Sequence, residues 1–226
     1  MLLRIPELLN AEEVSVCREL LLQQPWQDGH LTAGHIAAQV KTNHQLPRDN
    51  MIAQQIGQLI LDKLGRSSMF MAAALPLKVL PPLFNRYENG TAYGNHIDNA
   101  IFTMPNADMK VRSDVSTTVF LSEPDEYEGG ELVISTAYGE NRVKLAAGDA
   151  IVYPANSLHR VEPVTQGVRL GAFFWTQSLV ASSEQRQILY DLDGSIQKVL
   201  ATDAHSEAAR SLSGVYHNLL RMWSQT

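Results

Sequence analysis

The chain has 226 residues, 45% hydrophobic and 19% charged, with a formal net charge of −6. That length holds one domain with a sizeable core plus a smaller appendage, and an acidic balance without a basic block argues against a nucleic-acid partner. The single cysteine, Cys17, excludes an intrachain disulfide, and its place among periodic apolar residues suits a buried thiol rather than a reactive one.

The chain opens on Met1-Leu2-Leu3-Arg4-Ile5-Pro6-Glu7, too short and too interrupted for a signal peptide. Nowhere does an apolar run approach the roughly 18 residues that a bilayer span needs. A cytoplasmic protein without membrane contact is expected. Residues 2–5 predict a short strand. Asn10, with Glu13 three residues on, forms a capping-box pattern. It opens a helix over 11–23 with Val14, Cys17, Leu20 and Leu21 on one face. Residues 26–40 mix strand and turn signals. A second helix is predicted over 49–64, where Ile52, Ile56, Ile60 and Leu64 recur every four residues and Gly65 supplies a C-cap.

After Pro76 the pattern changes to short strands, predicted over 77–87, 115–122, 131–136, 142–145, 150–153, 159–164 and 169–176. Turn signals separate them: Glu128-Gly129-Gly130, Tyr138-Gly139-Glu140-Asn141, Ala147-Gly148-Asp149 and Thr165-Gln166-Gly167. Short strands at regular spacing predict a sandwich or jelly roll. Residues 100–112 are polar and unpatterned, and are expected to form a loop over the site. Two helices follow, over 183–202 and 206–223, the second with Ala209, Leu212, Val215, Leu219 and Met222 as its core face. The helix pair is also a candidate homo-oligomer contact. The expected organisation is α+β, with N-terminal support over 1–77, a β core over 78–178 and a helical extension over 179–226.

The chemistry begins at Tyr93-Gly94-Asn95-His96-Ile97-Asp98. On an extended segment residues i and i+2 point to the same side, so an imidazole and a carboxylate can meet one metal ion. His159 follows the loop Pro154-Ala155-Asn156-Ser157 and heads a predicted strand. Two histidines and one carboxylate leave three coordination positions open, the pattern of non-haem Fe(II) oxygenases. Arg169 stands ten residues past His159. A buried arginine needs an anionic partner, and a dicarboxylate meets the guanidinium fork; the competing reading is a structural ion pair with Asp or Glu.

These elements resemble a family. Tyr87-Glu88-Asn89-Gly90-Thr91-Ala92-Tyr93-Gly94-Asn95-His96-Ile97-Asp98 is similar to the Y-x-x-G-x-x-Y-x-x-H-x-D segment of prolyl-4-hydroxylase-like dioxygenases. Glu128-Gly129-Gly130-Glu131-Leu132 resembles their mid-domain turn. Ala147-Gly148-Asp149-Ala150-Ile151-Val152-Tyr153-Pro154 resembles the strand before their distal histidine, and His159 to Arg169 matches their H-x(9)-R spacing. With its helical extension the chain resembles bacterial PKHD-type hydroxylases, a group associated with iron uptake. The resemblance implies a double-stranded β-helix, Fe(II) on His96, Asp98 and His159, and 2-oxoglutarate with its distal carboxylate on Arg169, assisted by the Tyr87 hydroxyl. It also implies dioxygen as cosubstrate, a siderophore-like small molecule or a protein side chain as substrate, and ascorbate (vitamin C) as a candidate auxiliary reductant.

Other groups carry less. Tyr87 reads equally well as a core tyrosine, Tyr93 as packing, and Asn99 as a substrate contact or a turn cap. His30, His35 and His44 lack a carboxylate at ligand spacing, and His205 and His217 read as exposed. Asp191-Leu192-Asp193-Gly194 lacks the later acidic ligands of a calcium loop, and no nucleophile-elbow pattern surrounds Ser157. Two alternatives stay open: a metal hydrolase on a cupin-like barrel, and a non-catalytic iron or 2-oxoglutarate sensor on the same fold.

Overall fold

Asn10 caps the first helix, α1 (Ala11–Leu22), with a reciprocal pair of 2.9 Å bonds: its side chain accepts from the Glu13 N–H, and the Glu13 carboxylate accepts from the Asn10 N–H. In the computed structural model, which describes residues 1–32, 40–104 and 109–226, α1 buries Val14, Cys17 and Leu21. Burial pushes the Cys17 thiol up to about 11, so it is an inert core group. The next helix, α2 (Met51–Arg66), starts on Asn50, whose side chain accepts from the Ala53 N–H, and buries Ile56, Ile60 and Leu64. Gly65 does not end it. Ser67, in extended conformation, terminates α2 and also caps α3 (Ser68–Ala74), its hydroxyl accepting from the Phe70 N–H at 3.2 Å. The sequence gives no warning of α3, because seven residues are too few to display a helical period.

Two antiparallel sheets form the β core. The larger runs Leu3–Ile5, Ala150–Pro154, Val115–Phe120, Arg169–Ser178, Leu83–Tyr87, His44–Gln45, Gln27–Asp28, with Pro76–Val79 also paired to Arg169–Ser178. The smaller runs Gly139–Val143, Leu132–Thr136, His159–Val161, Tyr93–His96. From Leu83–Tyr87 to Arg169–Ser178, the strands of these two sheets alternate in chain order between the larger and the smaller, the hairpin Leu132–Thr136/Gly139–Val143 counting as one step, and this winding is the double-stranded β-helix. Tyr87, Phe120, Ile134, Ile151, Tyr153 and Val161 fill the space between the sheets. The other face of the larger sheet is covered by α1 to α3, with Leu21, Ile60, Leu64 and Phe70 in one cluster with Val119, Val152 and Ala172. Val115–Phe120 is therefore buried at every residue, and shows none of the alternation of a half-exposed strand.

Several predicted boundaries move. The strand expected over 77–87 is two, Pro76–Val79 and Leu83–Tyr87, interrupted by Leu80-Pro81-Pro82, where Pro81 and Pro82 have no N–H for a ladder. The strand expected over 142–145 begins earlier, at Gly139, because Thr136 and Gly139 pair and leave only a two-residue turn. The strand expected over 159–164 stops at Val161, and Thr165-Gln166-Gly167 is not a turn: Val164–Gly167 pairs with Tyr127–Gly129. Residues 100–112 are not simply a loop. Ile101–Thr103 pairs with Lys110–Arg112 as a hairpin, of which 105–108 lie outside the described residues. So do 33–39 of the span 26–40, including His35.

The extension forms α4 (Ser183–Thr202) and α5 (Glu207–Trp223). Ala209 and Leu219 of α5 face inward as expected, but Val215 and Met222 are exposed. Tyr216, Leu220 and Trp223 take the inner face instead, against Leu75, Val180 and Leu189. Arg186 of α4 ties the extension to the core, donating to the carbonyls of Val180, Ala181 and Asp114 at 2.7, 2.8 and 3.1 Å. Among the described residues no helix is long and apolar enough to cross a membrane.

One turn fixes how α1 meets the sheet. Gly148 has φ +93°, and a Cβ there would lie 2.2 Å from the Leu9 carbonyl oxygen. Its own carbonyl accepts from the Leu9 N–H at 3.1 Å. Gly148→Ala is expected to cost about 2 kcal/mol or more, measured as a lower urea midpoint at unchanged slope. An unmoved midpoint would show that this approach is not needed.

Candidate metal centre

His96 closes the strand Tyr93–His96, His159 opens the strand His159–Val161, and the two are register partners in the smaller sheet. Their side chains therefore leave neighbouring backbone toward one face, with ring centroids 4.2 Å apart. Asp98 follows two residues after His96, and its Oδ1 lies 4.0 Å from His96 Nε2 and 3.9 Å from His159 Nε2. The three candidate ligand atoms all lie within 4.8 Å of one another.

The surroundings prepare these atoms for a cation. His96 Nδ1 is 2.8 Å from the Gly94 carbonyl oxygen and His159 Nδ1 is 2.9 Å from that of Ser157. A carbonyl only accepts, so each Nδ1 carries a hydrogen, and in the neutral imidazole Nε2 is the atom left to bind at the site. Burial, reinforced by the neighbouring His159, lowers His96 to about 4 and keeps it neutral near pH 7. Ser116 Oγ donates to Asp98 Oδ2 at 2.5 Å, leaving Oδ1 turned to the histidines. Two imidazole nitrogens and one carboxylate oxygen are a fitting donor set for a divalent iron. Ser116→Ala is expected to weaken Fe(II) or Mn(II) binding about tenfold, measured by anaerobic metal titration; unchanged affinity would reduce the bond to packing.

Arg169 lies in the same cavity. It is 1% exposed, and its Nε and Nη1 have no hydrogen-bond partner. None of the ion pairs among the described residues involves it, so the ordinary structural ion pair is not there. Its guanidinium carbon sits 5.1 Å from the Tyr87 ring centroid and 5.4 Å from that of Phe120. A buried guanidinium among aromatic rings with unmet donors is suited to a carboxylate. Tyr87, the register partner of Arg169, is fully buried. Its hydroxyl accepts from Asn85 Nδ2 at 3.3 Å, and burial raises it to about 12. The phenol therefore keeps its hydrogen, free to donate to an anion.

Further residues complete the cavity without having stood out in the sequence: Lys41, Asn43, Phe102, Ser116, Phe173 and Trp175. Phe102, carried by the hairpin, stacks on Trp175 at 4.1 Å, and Phe173 meets Trp175 edge-on at 5.6 Å. Asn99 lies at the mouth, and Tyr93 stacks on His96 at 3.6 Å. The groups set aside earlier stay apart. His30 pairs locally with Asp28 at 2.5 Å, which the expectation of no carboxylate neighbour had missed. His205 and His217 are exposed, and Asp191 and Asp193 lie within α4 rather than in a loop. Among the described residues His96, Asp98 and His159 are the one cluster able to hold a metal.

Comparison with known proteins agrees with this geometry. Residues 82–177 match the 2OG-Fe(II) oxygenase superfamily, and residues 184–225 match the PKHD-type hydroxylase C-terminal domain. A PKHD-type hydroxylase of Delftia acidovorans is 66% identical over 225 residues, covering 100% of both chains. A Pseudomonas putida prolyl-4-hydroxylase structure aligns with TM-score 0.54 at 20% identity, over 78% of this chain and 92% of that one. A prolyl hydroxylase of Trichoplax adhaerens, in complex with a hypoxia inducible factor oxygen degradation domain peptide fragment, aligns with TM-score 0.57 at 14% identity, over 83% and 86%. At these identities the two structures speak for the fold alone.

Proposed function

Because the chain belongs to the PKHD-type hydroxylases of the 2OG-Fe(II) oxygenase superfamily, and is thus a 2-oxoglutarate-dependent dioxygenase, we propose that His96, Asp98 and His159 hold its iron and that Arg169, with Tyr87, receives the distal carboxylate of 2-oxoglutarate. The reaction joins 2-oxoglutarate, dioxygen and a substrate C–H bond to give succinate, carbon dioxide and the C–OH product. Family membership displaces the hydrolase and sensor alternatives.

When bound, the iron supplies the activation of dioxygen, while the protein supplies binding, orientation and exclusion of side reactions. His96 and His159 turn Nε2 toward the site because backbone carbonyls hold their Nδ1 hydrogens. Asp98 offers one oxygen because Ser116 occupies the other. Arg169 and Tyr87 present donors at a fixed place in the same cavity, which sets the direction in which a dicarboxylate lies. The substrate enters past Phe102, Phe173 and Trp175, an aromatic wall suited to an apolar group next to the C–H bond attacked. A small molecule or a single protein side chain satisfies that requirement. The division into 1–77, 78–178 and 179–226 is part of the same reading, with the middle segment carrying all five named site residues.

The observation that carries the proposal is the buried guanidinium of Arg169, outside every ion pair among the described residues and with Nε and Nη1 unmet, in one cavity with the His/Asp/His cluster. Protein purified without oxygen should take up one Fe(II) per chain. On admission of dioxygen, with ascorbate supplying the two electrons that the absent substrate would give, it should convert 2-oxoglutarate to succinate and carbon dioxide in equal amounts. Iron uptake without any succinate would sink the assignment of Arg169 and Tyr87.

A further inference from the structure

The segment from Val40 to Gln45 reverses the usual sense of a surface strand. Lys41, Asn43 and Gln45 are buried, at 3%, 1% and 1% exposure, while Val40 and Thr42 are exposed. Backbone pairing enforces this alternation. The Val40 carbonyl accepts from the Gly94 N–H at 2.8 Å, the Thr42 N–H donates to Ala92 at 3.0 Å, and His44–Gln45 pairs with Leu83–Tyr87. The segment thus runs beside the strands that carry His96 and Tyr87, and Lys41 and Asn43 line the cavity of the metal cluster. Their seat is shaped for them, since a Cβ on Gly29 would lie 2.1 Å from Asn43 Oδ1 and 3.1 Å from Lys41 Cε.

The two side chains stand at different depths. Lys41 Nζ donates to Gln45 Oε1 at 2.7 Å and lies 5.4 Å from the Tyr93 ring centroid. Tyr93 in turn stacks on His96, so the ammonium stands at the metal end. Asn43 comes one residue before the pair His44↔Arg86, which places it beside Tyr87, the partner of Arg169. Neither Asn43 Nδ2 nor Oδ1 makes a well-formed hydrogen bond, although the side chain is buried, lines the cavity and interacts with the Tyr87 hydroxyl. A buried amide with an unmet acceptor and a weakly met donor is costly, and its place on the cavity wall points to a ligand that meets it. With Arg169, the wall offers an ammonium, an amide and a guanidinium in one cavity, a pattern that suits an extended dianion.

We propose that Lys41 and Asn43 are further anion-binding residues for 2-oxoglutarate, Lys41 taking the carboxylate at the metal end while Arg169 takes the distal one, with the Asn43 amide N–H donating to that distal carboxylate alongside Arg169. This rests on the cosubstrate reading above. Both are positioning and binding residues that the family's segment patterns do not include.

The test uses Fe(II)-loaded full-length protein without oxygen, following the charge-transfer absorbance that forms when a 2-oxo acid chelates the iron. The probes are 2-oxoglutarate and 2-oxovalerate, which keeps the 2-oxo acid end and lacks the distal carboxylate. Lys41→Met should weaken both probes about tenfold or more, Lys41→Arg should weaken them less, and Arg169→Met should weaken 2-oxoglutarate alone. Asn43→Ala should weaken 2-oxoglutarate and leave 2-oxovalerate nearly unchanged, and Asn43→Asp, which places a like charge beside the distal carboxylate, should weaken 2-oxoglutarate further. Melting of the metal-free variants checks the fold, and Lys41→Arg, with the Asn43 pair for the distal end, keeps the idea testable if Lys41→Met unfolds. Unchanged affinities in Lys41→Met overturn the proposal. A loss confined to 2-oxoglutarate also overturns it, because Lys41 would then serve the distal end. If wild-type protein gives no absorbance with 2-oxoglutarate, the cosubstrate reading itself fails, a result distinct from a wild-type band that Lys41→Met leaves untouched.

Discussion

With His96→Ala or His159→Ala, succinate formation falls at least a thousandfold, equivalent to about 4 kcal/mol of lost transition-state stabilisation. Either change leaves one nitrogen and one carboxylate oxygen, from a set whose three atoms lie within 4.8 Å of one another. The remaining pair cannot hold the iron at its working position. The loss should therefore appear first in metal affinity, before any turnover is measured. Calorimetry would show that added Fe(II) no longer raises the melting temperature, as mass action requires when binding to the native state is lost. The metal-free variants should melt close to metal-free wild type, because both rings line the cavity and their Nδ1 hydrogen bonds, to Gly94 and Ser157, are local. That combination separates a ligand from a core histidine, whose removal would lower the melting temperature with or without metal. Undiminished succinate formation in either variant would remove that histidine from the site.

The parts of this site legible in the sequence are those set by spacing along one strand. His96 and Asp98 share a side because they are two residues apart, and His159 and Arg169 each begin a predicted strand. The parts that were hidden depend on pairing between distant segments. Ser116 reaches Asp98 from a strand buried at every residue, so its polarity carried no periodic signal. Lys41 and Asn43 lie between the predicted elements and carry no motif, and only their pairing beside Gly94 and Ala92 turns them inward. Phe102 sat in residues judged unpatterned, because a three-residue strand is too short to alternate visibly. The same limit explains α5. Its apolar residues surround much of the helix, and the larger aromatic area of Tyr216 and Trp223 decides which side is buried against Leu189, leaving Val215 and Met222 outside. The end of α2 was misplaced for another reason: Gly65 is a good terminator, but Ser67 serves two helices at once and draws the boundary to itself.

Arg169→Met is expected to split two quantities that usually move together. Affinity for 2-oxoglutarate should fall about a hundredfold or more, since two charge-assisted hydrogen bonds of about 1.5–3 kcal/mol each are removed. The stability of the ligand-free protein should hold or rise. The guanidinium is 1% exposed with Nε and Nη1 unmet, so in the absence of ligand it is a buried charge whose desolvation is not repaid. Methionine fills similar space between Tyr87 and Phe120 without that cost. Were Arg169 instead half of a structural ion pair, its removal would strand a buried carboxylate and destabilise the protein by about 3–5 kcal/mol. Urea unfolding of wild type and variant, each with and without saturating 2-oxoglutarate and Mn(II), decides between the two. In wild type the ligand should raise the midpoint, while in Arg169→Met the rise at the same concentration should largely vanish. A variant that is destabilised without ligand, yet still stabilised by it as wild type is, would make Arg169 a structural residue and leave the distal carboxylate without a receptor.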